Sequence, residues 1–189
     1  TILMKEVEES EKGVKVKVCC REYDFGKEMF PISIKAMGKE ILAPPIRLSV
    51  KDNGVDARWE DKETWVQEKD DTHVVIMSAM QSRFAVISAV VTIEYYCSMS
   101  YNLRLSTIAD SVRCGFDVEP DRAERIVDMM HLEVPLKKEC VPLCHYSKFG
   151  SDGDPYHSGK IHDFEMSMFP HSWFGNDESG IGFYFDSDE

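Results

Sequence analysis

Positively charged residues are scarce in this 189-residue sequence, which has 22 lysines and arginines against 34 aspartates and glutamates and a net charge of −12. That balance argues against a nucleic-acid backbone or an anionic membrane as the main partner, because both are bound through clustered positive charge. Long apolar runs are also absent, and the best one, 84–93, is about half of what a membrane-spanning helix needs. No signal-peptide pattern is present, and because the chain begins at Thr1 we expect a fragment whose targeting signals lie elsewhere.

The signature motifs of common enzyme classes are missing as well. The sequence has no glycine-rich phosphate loop, no Gly-x-Ser-x-Gly elbow and no dinucleotide-binding fingerprint. Hydrophobic residues make up 43% and charged residues 30% of the chain, which is the composition of an ordinary folded globular protein. We therefore predict a folded protein that has no cofactor and no conventional enzymatic activity.

Six cysteines are present, and they need not form disulfides, because a chain of this length can bury a sufficient core without them. Cys97 ends an apolar strand-like run, and Cys19 and Cys20 are adjacent, so they would point to opposite faces of a strand. We expect mostly reduced thiols in a cytoplasmic protein. The six residues are Cys19, Cys20, Cys97, Cys114, Cys140 and Cys144.

Strand signals dominate the sequence. Val14, Val16 and Val18 alternate with lysines, which is typical of a half-buried strand, and the run Phe84 to Val91 predicts a strand buried on both faces. Asp52-Asn53-Gly54 predicts a tight turn. Further strands are predicted at 30–36, 46–50, 65–67, 73–77, 93–97, 102–105, 141–146, 164–168 and 181–185. The fold class that follows is all-β, mainly antiparallel and sandwich-like.

One segment has a helical period instead. Ala123, Ile126, Val127 and Met130 recur at helical spacing with charged residues between them, which predicts a single amphipathic helix near 121–131. A buried strand ends near residue 91 and a new series of strands follows. We therefore predict two small β domains, 1–91 and 92–189.

A zinc site is one alternative to be weighed. Cys140, Cys144, His157 and His162 have the spacing of a two-Cys, two-His finger. Such a finger needs a helix carrying both histidines, and the glycines and proline at 150–159 oppose that helix. We therefore predict that the two cysteines lie in strands and the two histidines in loops, with a zinc site as the alternative.

Ser82 is the one candidate nucleophile. It precedes a strand, where an N-to-O acyl shift could cleave the chain if a base or a distorted peptide bond were present. Its neighbours Met80, Gln81 and Arg83 are poor bases, so a serine in a turn is the main prediction. The three tryptophans, Trp59, Trp65 and Trp173, are predicted to anchor a core.

Several short motifs resemble a known tandem module. Phe30-Pro31-Ile32-Ser33-Ile34, Gly38 and the segment 41–48 resemble the second half of a ZU-five domain, as do Trp59-Glu60-Asp61 and Arg83-Phe84-Ala85-Val86. Residues 101–105, 121–133 and 163–173 are similar to its usual neighbour, a UPA domain. The resemblance is incomplete at both ends, since the Pro-Pro-Gly-Ala segment and the last UPA strands are missing.

That resemblance implies a function through contact. ZU-five/UPA modules of Unc-five netrin receptors and ankyrins are cytoplasmic interaction and regulatory units of signalling or scaffold proteins, and their partner is another protein or a neighbouring death-fold domain. The PIDD and FIIND branch cleaves itself at His-Phe-Ser, where this chain has Met80-Gln81-Ser82. We therefore expect autoinhibition by interdomain packing, with self-cleavage at Ser82 as the enzymatic alternative.

Overall fold

The computed structural model describes residues 4–107, 127–147, 156–161 and 171–184. Within those ranges the chain forms sixteen β-strands and one short 3-10 turn, Lys138–Cys140, and every strand pair is antiparallel. The predicted all-β fold class is confirmed. The sequence prediction for Cys114 and the predicted strand at 164–168 lie outside the described residues.

The strands, numbered in chain order, form four sheets. The first has the order β1-β2-β3-β4-β5, with strands Met4–Ser10, Gly13–Val18, Arg21–Gly26, Ser33–Ala36 and Lys39–Glu40. The second has the order β11-β10-β9-β8, where β8 is Glu60–Lys69, β9 His73–Gln81, β10 Ala85–Glu94 and β11 Met99–Thr107. The third, β12-β6-β7, is built from β6 Arg47–Asp52, β7 Val55–Asp56 and β12 Met129–Glu133. The fourth, β14-β13-β15-β16, comprises β13 Leu143–Ser147, β14 Tyr156–Lys160, β15 His171–Gly175 and β16 Gly180–Tyr184.

The core forms where the apolar faces of the first three sheets pack together. Val14, Val16 and Val18 are fully buried, as their alternation predicts, while Lys15 and Lys17 face outward in ion pairs with acidic side chains. The same buried cluster includes side chains of β3, β4, β6, β9 and β10. Ile181 on β16 packs against this cluster, so the fourth sheet contacts the main body.

Strand β10 is the centre of the second sheet, between β9 and β11. Ile87, Val91 and Ile93 are fully buried, but the residues between them are half-buried or exposed, so only one face is enclosed. The strand also continues across the predicted domain boundary between residues 91 and 92. The partition into 1–91 and 92–189 stays a prediction.

The predicted helix near 121–131 needs correction where the chain is described. Residues 121–126 lie outside the described residues, but Met129–Glu133 is strand β12, paired with β6. There Met130 faces Val50 and Leu132 faces Leu48 across the ladder. Long-range strand pairing therefore overrides the helical period at its C-terminal end.

The cysteine positions differ from the strand prediction too. Cys19 and Cys20 form the turn between β2 and β3, and Cys97 lies in the turn between β10 and β11. No helix in the described residues is long and apolar enough to cross a membrane.

Candidate functional site

The fourth sheet has one buried face and one open face. Strand pairing without a bulge keeps the alternation of side chains in phase across all four strands. Cys144, Tyr146 and Ser172 are on the buried face, at 2%, 3% and 5% exposure. The opposite face, here called the outer face, carries Tyr156, Ser158, Lys160, Leu143, His145, Ser147, His171, Trp173, Gly175, Gly180, Gly182 and Tyr184.

Four aromatic rings form a row across this outer face. The ring centroids of Tyr156 and His145 are 6.0 Å apart with planes only 10° from parallel. The centroids of His145 and His171 are 6.0 Å apart with ring planes inclined by 61°, and those of His171 and Tyr184 are 4.6 Å apart with planes inclined by 39°. Each of the four strands supplies one ring, so the row runs along the hydrogen-bonding direction of the sheet. The two end rings are the most open, Tyr156 at 59% and Tyr184 at 77% exposure.

Trp173 adds a fifth ring, and glycines determine where it lies. A Cβ placed on Gly180 would come within 2.5 Å of the indole Nε1, and one placed on Gly175 within 2.4 Å of Cζ2. The indole therefore lies against the bare backbone of these two residues, where any larger side chain would displace it. We call Tyr156, His145, Trp173, His171 and Tyr184 the aromatic platform.

The platform combines apolar ring faces with polar groups beside them. His145 Nδ1 is hydrogen-bonded to Ser158 Oγ, and Lys160 is exposed two residues further along β14. None of the outer-face positions on β13–β16 carries a carboxylate. Aromatic faces are electron-rich and attract polarised C–H groups, while the polar groups offer hydrogen bonds. The arrangement suits a ring-shaped ligand with an apolar face and a polar edge.

Contacts to the first sheet hold the β15–β16 hairpin in place. Arg21 Nη2 donates to the carbonyl of Gly180 at 3.5 Å, and Lys39 forms an ion pair with Glu178 in the hairpin turn. That pairing lowers the pKa of the Glu178 carboxyl and raises the pKa of Lys39 through hydrogen bonding and opposite charge. The hairpin that carries Trp173, His171 and Tyr184 is therefore attached to the body at its turn and through Ile181.

Comparison with known families gives one match, which covers the whole chain. The model of the family described as glycoside hydrolase 123, third domain, matches residues 1–189. The chain belongs to this family. No curated protein matches the sequence.

The ZU-five/UPA resemblance is therefore wrong, and so are the signalling, scaffold and death-domain-associated roles that it implied. Its motifs were short strand patterns such as Ile32-Ser33-Ile34, and the alternation of apolar and polar residues is common to antiparallel sheets in general. The segment compared with the UPA helix also ends in strand β12. The expectations of a protein partner and of a cytoplasmic location are not decided by this match and stay predictions.

Ser82 in the glycoside hydrolase domain is a structural residue of a tight turn. It is 4% exposed, and its Oγ donates to the Ala85 carbonyl at 3.1 Å while accepting from the Ala85 amide at 3.1 Å. The amide of Phe84 also points to this oxygen at 3.4 Å. These bonds fix the turn between β9 and β10, and among the described residues no base contacts the hydroxyl. The geometry therefore gives no support to self-cleavage. The self-cleavage alternative came from the ZU-five resemblance, which the family match overturns.

A cleft of about 420 Å³ lies beside Ser82. Its charged lining residues, Asp56, Arg58, Glu60, Asp61 and Arg83, are all exposed. Glycosidic general acids are usually carboxyl groups in desolvated surroundings. These solvated carboxylates do not have that environment, so the cleft is the weaker candidate.

The residues of the zinc alternative are only partly brought together. Cys144 and His157 lie on adjacent strands and share the buried face, where the His157 ring stacks on Tyr146 at 4.9 Å. The Cys144 thiol points to the carbonyl of Lys160 at 3.8 Å, and burial raises its pKa, which disfavours the thiolate that zinc requires. Cys140 points to the carbonyl of Glu40 at 3.6 Å. His162 lies outside the described residues.

One cluster of ionisable side chains was missed by the sequence prediction. Glu68, Asp70 and His73 at the β8–β9 hairpin place ligand atoms within 4.8 Å of one another. Asp70 Oδ1 already accepts bonds from the Thr72 amide and hydroxyl and from the His73 amide. These bonds lower the pKa of Asp70 to about 2. The closeness of these side chains is therefore explained by the Asp70 carboxylate, which forms the hairpin turn.

The aromatic platform was also missed, for an identifiable reason. From the sequence, His157 was predicted to lie in a loop and no strand was predicted at 171–175, although both segments are strands. The alternation His171, Trp173 and Gly175 was the available signal. Trp59 does pack against the core, as predicted, and donates to the Leu48 carbonyl, whereas Trp173 lies on the outer face.

Proposed function

We propose that this domain binds glycan chains for a glycoside hydrolase by stacking sugar rings on the aromatic platform. The row of rings across β13–β16 carries the proposal, and membership in the glycoside hydrolase 123 third-domain family supports the class of ligand. The domain's contribution is to hold the substrate, while the hydrolytic step belongs to another part of the enzyme.

Sugar rings match the chemistry of the platform. A pyranose has a face of C–H groups and an equatorial rim of hydroxyls. The C–H face stacks on an aromatic ring through its quadrupole and releases ordered water, and the rim is left free for hydrogen bonds to groups such as Ser158 and Lys160. The ligand is thus amphipathic in the same sense as the site.

The arrangement favours a chain of sugars over a single one. Successive ring centroids lie 4.6–6.0 Å apart from Tyr156 to Tyr184, and an extended oligosaccharide repeats its ring over a similar length. Several weak stacking contacts on one ligand act together, because each contact after the first is intramolecular. The lack of carboxylates on the outer-face positions also avoids repulsion of anionic glycans in an otherwise acidic chain.

Such a surface would raise the local concentration of substrate. A glycan held on the platform stays near the catalytic part of the same enzyme, so its effective concentration there exceeds that in solution. The benefit should be largest for long or insoluble substrates, which diffuse slowly.

The test is binding to an array of defined oligosaccharides, followed by titration calorimetry with the strongest binder. We expect Tyr184→Ala to weaken the affinity about 10-fold, since loss of one stacking contact costs about 1.4 kcal/mol. Tyr96→Ala is the matched control, because Tyr96 is 61% exposed and lies in the β10–β11 turn, outside the fourth sheet. Arg83→Ala in the cleft is the second control.

The outcomes separate the two sites. Loss of binding in the Tyr184 variant alone supports the platform. Equal losses in the Tyr184 and Tyr96 variants, loss in the Arg83 variant alone, or no binding to any oligosaccharide on the array would each reject the proposal.

A further inference from the structure

Two turns from different sheets lie against each other. The β2–β3 turn carries Cys19 and the β10–β11 turn carries Cys97. The Cys19 thiol lies 3.2 Å from the carbonyl oxygen of Tyr95, and the Cys97 thiol lies 3.6 Å from that of Val18. The Cys19 thiol therefore donates to the β10–β11 turn, and the Cys97 thiol donates back to the last residue of β2.

The backbone around these two thiols is held in place. Cys19 has φ 51° and Cys97 has φ 72°, the left-handed region that residues other than glycine and asparagine rarely adopt. The Tyr23 hydroxyl donates to the Cys97 carbonyl at 3.2 Å, which fixes the second turn to the first sheet. The burial of Cys97, and then its interaction with the Cys19 thiol, raise the pKa of Cys97 to about 11.

We propose that Cys19 and Cys97 are a redox-sensitive pair that forms a disulfide when the domain meets a low-molecular-weight disulfide such as oxidised glutathione. Both cysteines are free thiols in the structure. The inference is independent of glycan binding, because neither residue lies on the fourth sheet.

The reaction is a two-step thiol–disulfide exchange. Cys19, as thiolate, attacks one sulfur of oxidised glutathione, which forms a mixed disulfide and releases one reduced glutathione. Cys97 then gives up its proton and attacks the Cys19 sulfur, which releases the second. Two protein thiols are oxidised to one disulfide and one glutathione disulfide is reduced to two thiols.

The roles follow from the surroundings of each thiol. The raised pKa of Cys97 keeps it protonated near neutral pH, so it is a poor first nucleophile and is suited to the second, intramolecular step.

Once formed, the disulfide bond would join the first and second sheets across 78 residues of sequence, and closing a loop of that length gives a large stabilising effect on the folded state.

The experiment uses the reduced domain equilibrated with oxidised glutathione. Peptide mapping without reductant should find the Cys19 and Cys97 peptides linked, and the melting temperature should rise by roughly 10 °C. Cys20→Ser is the matched control, because Cys20 is adjacent and exposed, and it should keep both the link and the rise. Cys19→Ser and Cys97→Ser should lose both.

Mapping of the unmodified chain keeps the test independent of variants that fold poorly. A Cys20–Cys97 link, only mixed disulfides with glutathione, or no change in any thiol would each overturn the proposal.

Discussion

At the scale of single residues, the position of the Trp173 indole depends on what its neighbours lack. Gly175 and Gly180 lie beneath the ring, and each would collide with it if it gained one carbon. Gly182 faces Trp173 across the ladder, yet a Cβ there would meet only the Ser172 carbonyl at 3.7 Å, an ordinary contact. The sequence shows these glycines but not which of them lies under a ring, because that depends on strand register.

The first prediction tests this difference. Gly180→Ala should lower the free energy of unfolding by about 1–3 kcal/mol, because the indole must move off the strand, and tryptophan fluorescence should change with it. Gly182→Ala is the control and should change stability by less than about 1 kcal/mol, since alanine suits a strand better than glycine does. Equal effects of the two substitutions in denaturant titrations would contradict the placement of the indole.

The second prediction concerns the buried hydroxyl of Ser82. Ser82→Ala removes the hydroxyl that accepts from the Ala85 amide, and it removes one of two donors to the Ala85 carbonyl, the Ser82 amide being the other. Unfolding in urea should show a loss of about 1–3 kcal/mol, the cost of leaving a buried polar group without its partner. Ser88→Ala on β10 is the comparison, because the described structure gives its half-buried hydroxyl no hydrogen bond. A larger loss for the Ser88 variant would refute this account of Ser82.

At the scale of elements, the sequence predicted strands better than it predicted their partners. Alternating or continuous apolar runs located β2, β6, β9 and β10, because burial of one face leaves a period of two. Strands β14 and β15 escaped detection, since their aromatic residues are interrupted by glycine, serine and histidine and pairing with β13 decides their conformation. The platform depends on those two strands, so it was missed with them.

The β8–β9 hairpin gives the third prediction. Hydrogen bonds from Thr72 and His73 hold the Asp70 pKa near 2, below its ordinary value of 3.8. A lowered folded-state pKa stabilises the protein above the unfolded value, and that stability disappears as the pH falls from about 4 to about 2. Asp70→Asn should therefore lower the melting temperature near neutral pH, and the difference should shrink over this acid range.

Thermal melts between pH 2 and pH 7 measure the effect. Asp71→Asn changes the adjacent carboxylate, which accepts none of these bonds, and should leave the acid part of the curve unchanged. A constant difference between the Asp70 variant and the unmodified chain at all pH values would count against the assignment.

At the scale of the whole molecule, one buried cluster links strands that are far apart in sequence. It joins β2 and β3 to β6, β9 and β10, and Leu136 and Ile181 from the later part of the chain pack against it. Periodicity identified many of these residues as buried but could not say which faces meet, because that is fixed by long-range pairing. The family could not be found from local motifs either, and required comparison of the entire chain.

The fourth prediction compares the two opposite faces of β10. Ile87 is fully buried and Val90 is 38% exposed on the opposite side. Ile87→Ala should cost about 2–5 kcal/mol, because it leaves a cavity in the shared core, whereas Val90→Ala should cost less than about 1 kcal/mol. Chemical denaturation of both variants measures the ratio, and similar costs would contradict the one-sided burial of this strand.

The packing of Trp173 against two glycines limits which positions of the aromatic platform can be changed. Few substitutions should be tolerated at positions 175 and 180, in evolution or in a mutant library, since almost any new side chain there would displace the indole. Changes in the proposed glycan selectivity should therefore accumulate at the two ends of the row, where the Tyr156 and Tyr184 side chains are exposed. A library designed for a new ligand preference should therefore randomise Tyr156 and Tyr184 and keep Gly175 and Gly180 unchanged.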